Sequence, residues 1–181
     1  MPEATMSMVM AIIDKLAITP EHKVLDFGCA KGYVVKAFRL LRRQAWGCDI
    51  SSYAIGSGDE LVKDYIRLVT NDPVPFKFNF DFVTVKDVLE HIPEEELKEI
   101  LKRLRECSDV VLVIVPLGEN GEYFVPAYNL DPTHCTAWPW MKWKFEFENA
   151  GFNVRQFLFR FPGVKDNWAH NEYGNGFFIL E

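Results

Sequence analysis

No stretch of this chain approaches the roughly 18 consecutive apolar residues that a membrane-spanning helix needs. The four cysteines, Cys29, Cys48, Cys107 and Cys135, stand far apart with no CxxC pair. That spacing excludes both a zinc-ribbon pattern and a disulfide framework, and it predicts buried free thiols at Cys29 and Cys48. Positive charge is also scarce: 20 Lys and Arg stand against 26 Asp and Glu, for a net charge of -6. A duplex-binding face needs clustered cations, and the one basic cluster, Arg39, Arg42 and Arg43, reads as a solvated helix face. There is no internal repeat and no low-complexity segment. The first residues carry an apolar run, but with an acid at Glu3 and no basic region they do not read as a signal peptide. The expectation is a soluble, cytoplasmic protein with no membrane or nucleic-acid partner. Nothing in the sequence speaks to its oligomeric state.

What is present fits one compact domain with a real core: 181 residues, 49% hydrophobic and 25% charged. Three stretches are expected: an N-terminal helix within 1–19, a ligand-binding core over 20–116, and later loops, a helix and closing strands over 117–181. Met8, Ile12, Ile13 and Leu16 recur at helical spacing. After Pro20, strands and helices alternate. Strands are expected over 23–27, 45–49, 66–70, 82–86, 110–115, 152–161 and 176–180. Helices are expected over 33–43, 53–63, 93–106 and 138–150, with Ser52 as the cap of the second. In the last helix Trp143 to Glu148 alternates like a strand, yet Trp140, Trp143, Phe147 and Ala150 share a helix face, and Pro139 and Gly151 bracket it. The link 71–81 is about ten residues, able to reach roughly 33 Å when extended. This alternation makes the protein α/β with a mostly parallel sheet.

The most telling segment is Val24-Leu25-Asp26-Phe27-Gly28-Cys29-Ala30-Lys31-Gly32-Tyr33. A strand runs into a glycine-bearing loop and then a helix N-terminus, the arrangement with which α/β folds hold nucleotide-like ligands. Gly28 and Gly32 allow a sharp turn and close approach. Asp26 sits badly for a phosphate but well for a ligand with an ammonium group and hydroxyls. That points away from NAD and towards S-adenosylmethionine.

Four segments together resemble the class I S-adenosylmethionine-dependent methyltransferases, nearest to their small type 11 / type 23 group. Val24 to Gly32 is similar to the family's LDxGxGxG, with Ala30 at the central glycine. Trp46 to Ser51 is similar to the second motif, in which an acid ends the second strand. Asn71 to Phe76 resembles a shortened "GDA…LPF", and Phe80 to Ile92 resembles FDxVxxxxVLEHI. The resemblance covers nearly the whole chain. It implies a Rossmann-like sheet of seven strands in the order 3-2-1-4-5-7-6, strand 7 antiparallel, with helices on both faces. The cap domain that many relatives carry is absent from these residues.

The resemblance also implies roles. Asp26, Gly28, Cys29, Ala30 and Gly32 would form the cofactor loop. Asp49 would accept from the ribose hydroxyls, Ile50 would pack on adenine, and Asp72 would accept from the adenine amino group. Lys86 would lie near the cofactor carboxylate. His134, in Asp131-Pro132-Thr133-His134, is the candidate general base, with His91 a second candidate and His170 a further histidine of the acceptor side. No metal is assigned, although Asp87, Asp131 and His134 are a conceivable set. The implied reaction is methyl transfer from S-adenosylmethionine to a small-molecule or glycan acceptor at oxygen, with S-adenosylhomocysteine as product. A protein or nucleic-acid methyltransferase and a non-catalytic cofactor-binding subunit are the alternatives, since fold does not fix substrate.

Overall fold

The computed structural model describes residues 3–181, with side chains from residue 5. The helices are α1 (Glu3–Leu16), α2 (Tyr33–Leu40), α3 (Ser52–Gly56), α4 (Glu94–Cys107) and α5 (Trp140–Asn149). The sheet strands are β1 (Lys23–Phe27), β2 (Gln44–Asp49), β3 (Ile66–Leu68), β4 (Phe80–Lys86), β5 (Ser108–Pro116), β6 (Val154–Leu158) and β7 (Asn175–Leu180). They form one sheet in the order β3-β2-β1-β4-β5-β7-β6. Pairs from β3 to β5 are parallel, and β7 runs antiparallel to both β5 and β6. This is the expected topology.

The strands alternate between two apolar layers. Leu25, Phe27, Val83, Val113 and Phe178 pack with Leu97, Leu101 and Leu104 of α4 and with Trp143 and Phe147 of α5. Val24, Ala45, Leu112, Ile114 and Phe177 pack with Val9 and Ile12 of α1 and Val35 and Phe38 of α2. β5 is buried along nearly its whole length, as a strand covered on both faces must be. The helical reading of 138–150 holds because Trp143 and Phe147, four apart, are fully buried together.

Some boundaries differ from the sequence reading. The helix expected over 53–63 stops at Gly56, and a turn and a short 3₁₀ segment, Lys63–Tyr65, complete the connection. Gly56 and Gly58 carry the high entropic cost that ends it. Its cap is Ser51, whose Oγ accepts from the Ala54 N–H at 3.1 Å, so Ser52 is already helical. α2 ends at Leu40 because Arg42 takes a left-handed conformation, φ +58°. Two arginines of the expected solvated face are in use: Arg39 lies 3.2 Å over the Tyr65 ring and Arg43 donates to the carbonyls of Ile18 and Leu41. The link from β3 back to β4 is filled with aromatic contacts among Trp46, Phe76, Phe78 and Phe80. No helix among the described residues is long and apolar enough to cross a membrane.

Candidate functional site

The C-terminal ends of β1, β2 and β4 lie side by side, where open α/β sheets bind ligands. The loop after β1 is held by the Cys48 carbonyl, which accepts from the Gly28 and Cys29 N–H groups at 2.8 and 3.0 Å. Gly28 is left-handed at φ +78°, and a Cβ there would lie 2.3 Å from Val88 Cγ2. Gly32 is similar, its virtual Cβ 2.9 Å from Val62. Ala30, where the family pattern has glycine, also takes a positive φ, +46°, a conformation that costs an L-residue about 1–2 kcal/mol. Cys29 contributes backbone only, since its buried thiol packs towards Gly47 and burial pushes its pKa up.

Two carboxylates face this loop. Asp49 ends β2. Its Oδ2 accepts from the Ala30 N–H and its Oδ1 from the Ser51 N–H, each at 2.8 Å. An ionised carboxylate has about four lone-pair sites, so further acceptor capacity remains. Asp26 is buried and accepts from Thr84 Oγ1 at 2.9 Å. Burial pushes its pKa up to about 7, against the Thr84 hydrogen bond and the Lys86 charge. Beside Asp49, Ile50 is 83% exposed and Tyr53 73% exposed, an apolar shelf at a polar edge. Two carboxylates, a tight glycine loop and an apolar shelf suit an ammonium group, ribose hydroxyls and a flat base, and offer nothing to a pyrophosphate.

Asp72 is engaged by protein groups, with its side chain half exposed. Arg103 grips it through Nε at 2.9 Å and a second nitrogen at 3.3 Å, and it accepts from the Val74 N–H. The Arg103 hydrogen bonds hold its pKa below the usual carboxylate range. Its observed work is to tie α4 to the link before β4. Lys86 ion-pairs with its neighbour Asp87. Asp87 also receives Lys165, from the connection between β6 and β7. That lysine had no signal in the sequence, because its partner lies 78 positions away in an irregular segment.

Beyond β4, the histidines converge. The ring centroids of His91 and His134 lie 4.6 Å apart. His134 is only 9% exposed at its side chain and packs against Tyr123 and Tyr128. Its Nδ1 lies 2.9 Å from the Tyr128 carbonyl. His91 Nδ1 lies 2.8 Å from Thr133 Oγ1, and Thr133 in turn donates to Asp131. Burial and the neighbouring His134 lower the His91 pKa. Next to them is Glu90, 1% exposed, whose Oε2 has no hydrogen-bond partner. Burial, with the Asp87 charge, pushes its pKa up to about 8. Glu90 escaped the sequence reading although it stands inside the segment Val88 to Ile92. Of the set Asp87, Asp131 and His134, the last two meet, Asp131 Oδ2 lying 3.9 Å from His134 Nε2, while Asp87 is taken by two lysines. His170 lies apart, its ring 6.0 Å from that of Trp168.

Two hollows adjoin, with Phe159 and Asn171 in the walls of both. The larger, about 510 Å³, is walled by Phe124, Trp140, Phe159 and Tyr173. The smaller, about 210 Å³, includes Lys165, Trp168 and Asn175.

Comparison with known proteins agrees with this geometry. Residues 6–156 match the type 23 methyltransferase family, described as "Methyltransferase domain". No curated protein matches by sequence. A SAM-dependent methyltransferase from Archaeoglobus fulgidus superposes with a TM-score of 0.69 at 18% identity, over 97% of this chain and 93% of that one. The mitomycin 7-O-methyltransferase MmcR gives 0.69 at 14% identity, over 98% of this chain and 53% of that one. Magnesium protoporphyrin IX methyltransferase from Synechocystis PCC 6803, solved with bound SAH, gives 0.68 at 16% identity, over 98% and 83%. By the family match, the seven-stranded topology and the loop after β1, the chain belongs to the type 23 family of methyltransferases and has the class I, S-adenosylmethionine-dependent fold.

Proposed function

We propose that this protein transfers a methyl group from S-adenosylmethionine to a hydroxyl of a small molecule or glycan. The observation that carries this reading is the pair of carboxylates, Asp26 and Asp49, set beside the exposed Ile50 and Tyr53 at the glycine loop. When bound, the cofactor supplies an electrophilic methyl group on a sulfonium. The chain then has to hold, align and exclude water. Asp26 answers the ammonium, Asp49 accepts from the ribose hydroxyls, and Ile50 with Tyr53 covers the base. The aromatic walls of the larger hollow suit a ring or sugar face as acceptor, and the His91–His134 pair takes the hydroxyl proton. Two structural neighbours, the mitomycin and protoporphyrin enzymes, act by their names on small molecules, which supports this acceptor class.

Calorimetry with S-adenosylmethionine and S-adenosylhomocysteine tests the cofactor half. Asp49→Ala should weaken binding by about 1–3 kcal/mol, the cost of unanswered polar partners. No binding of either compound to the folded protein removes the reading. Labelled cofactor with fractionated small molecules, glycans and proteins then identifies the acceptor.

Asp26 adds a pH signature. Its pKa in the free protein is raised to about 7, and a bound ammonium favours the carboxylate form. Cofactor binding therefore releases a proton below about pH 7. Affinity should fall by up to about tenfold per pH unit as pH drops below 7, and Asp26→Asn should flatten that slope. An equal slope in both proteins would take Asp26 out of the binding site.

A further inference from the structure

We infer that Glu90, His91 and His134 form a binding site for a divalent transition-metal ion of the zinc class. One ligand atom from each lies within 4.8 Å of the others. In a tetrahedral shell with bonds of about 2.0–2.2 Å, ligand atoms stand about 3.3–3.6 Å apart. Side-chain shifts on the order of 1 Å close the set.

The hydrogen bonds fix both imidazoles in the form a metal needs. The Tyr128 carbonyl can only accept, so His134 carries its proton on Nδ1 and presents an Nε2 with no hydrogen bond, 3.9 Å from Asp131 Oδ2. Thr133 gives its hydroxyl proton to Asp131 Oδ1 at 2.6 Å, so Thr133 Oγ1 accepts from His91 Nδ1–H. His91 Nε2 is then bare as well. A carbonyl behind one imidazole and a carboxylate-backed hydroxyl behind the other are how ligating histidines are oriented and made more basic.

The third member supplies an independent sign. Glu90 is almost wholly buried, and its Oε2 has no partner. Buried polar oxygens are nearly always answered; the Tyr123 hydroxyl, whose ring packs on His134, is also without a partner, and an ion with its bound water answers both. Two neutral imidazoles and one carboxylate form the donor set used by zinc and by non-haem iron. Calcium and magnesium prefer all-oxygen shells. Three protein ligands leave a fourth position for water or an acceptor oxygen. The backbone supports the site: the Glu90 carbonyl accepts from the N–H groups of Cys135 and Thr136 at 2.8 and 3.2 Å, fastening the loop that carries His134 to the turn that carries Glu90 and His91.

The test uses the full chain after treatment with chelator. It is titrated with Zn²⁺ by calorimetry and with Co²⁺ by visible absorption. One equivalent should bind, with ligand-field bands and no thiolate charge-transfer band. Glu90→Gln and His134→Ala should each weaken binding at least tenfold. Cys135→Ser should leave it unchanged, which sets aside the exposed thiol next in sequence. Should His134→Ala fail to fold by circular dichroism, His91→Ala replaces it, since that ring lies nearer the surface. Absence of saturable binding below about 1 mM, a very weak affinity for such a donor set, overturns the proposal. So does unchanged affinity in folded variants. The titration reads metal alone, so its outcome is independent of the methyl-transfer reading.

Discussion

His134→Ala is expected to slow methyl transfer by roughly 10²–10⁴-fold, the range for loss of a general base. Affinity for S-adenosylhomocysteine should hardly change, because the proposed cofactor contacts lie at the ends of β1 and β2. The reason for choosing His134 is the state of its ring. With Nδ1–H given to the Tyr128 carbonyl, Nε2 is the nitrogen that can take a proton, 3.9 Å from the Asp131 carboxylate. The ring is wedged against His91, Tyr123 and Tyr128, so its direction is fixed before any acceptor arrives. The base must be neutral, so the rate falls as pH drops. The partner ring, His91, has a pKa below the ordinary histidine value, which extends its neutral form to lower pH. A chelator separates the two uses of the Nε2 lone pair: proton acceptance survives it, and a metal-assisted reaction does not. Near-normal turnover in folded His134→Ala would leave alignment and water exclusion as the whole mechanism.

The elements that were legible in the sequence are those whose information is local. The strand 23–27, its glycine loop and the acid ending β2 were all readable because a few consecutive residues dictate the backbone. The strand order followed from a family resemblance carried by four such segments. The helix expected over 53–63 is shorter because a cap residue marks where a helix starts, while Gly56 and Gly58 set where this one stops. The donor set of Glu90, His91 and His134 was only half legible. The two histidines stood out by type, but Glu90 looks in sequence like any surface acid before a helix. What makes it unusual is burial without a partner, and burial is a property of the assembled loop after β5. The ion pair of Asp72 with Arg103, 31 residues later in α4, was not legible either. Long-range ion pairs of this kind leave no periodicity and no spacing to read.

Asp87→Asn should destabilise the fold by about 3–5 kcal/mol, as expected when one partner of a buried ion pair is removed. Lys165 is the buried member, 7% exposed at its side chain. Its ammonium is answered by Asp87, by Asn175 Oδ1 at 2.8 Å and by the Tyr128 ring face at 4.9 Å. Without the carboxylate, a full positive charge stays buried with only neutral hydrogen-bond and ring partners, Glu90 being an acid still within its field. Asparagine keeps the shape, and it tolerates the left-handed backbone that Asp87 adopts, φ +54°, so the loss reads charge and not strain. At this chain length each kcal/mol moves Tm by about 2–4 °C, so a drop of roughly 6–20 °C is expected in a thermal melt. The pH dependence has a definite sign. Burial pushes the Asp87 pKa up, but Lys165 and Lys86 outweigh it and hold the pKa below the usual 3.8. The pair's contribution is therefore complete above about pH 4 and is lost as pH falls through the lowered folded-state pKa. The variant should lack that segment of the acid-unfolding curve. Adding Lys165→Met to Asp87→Asn should recover part of the loss, because the stranded charge goes with it. A fall of less than about 1 kcal/mol, with no recovery in the double variant, would mean that water reaches Lys165 and that the pair counts only as a surface one.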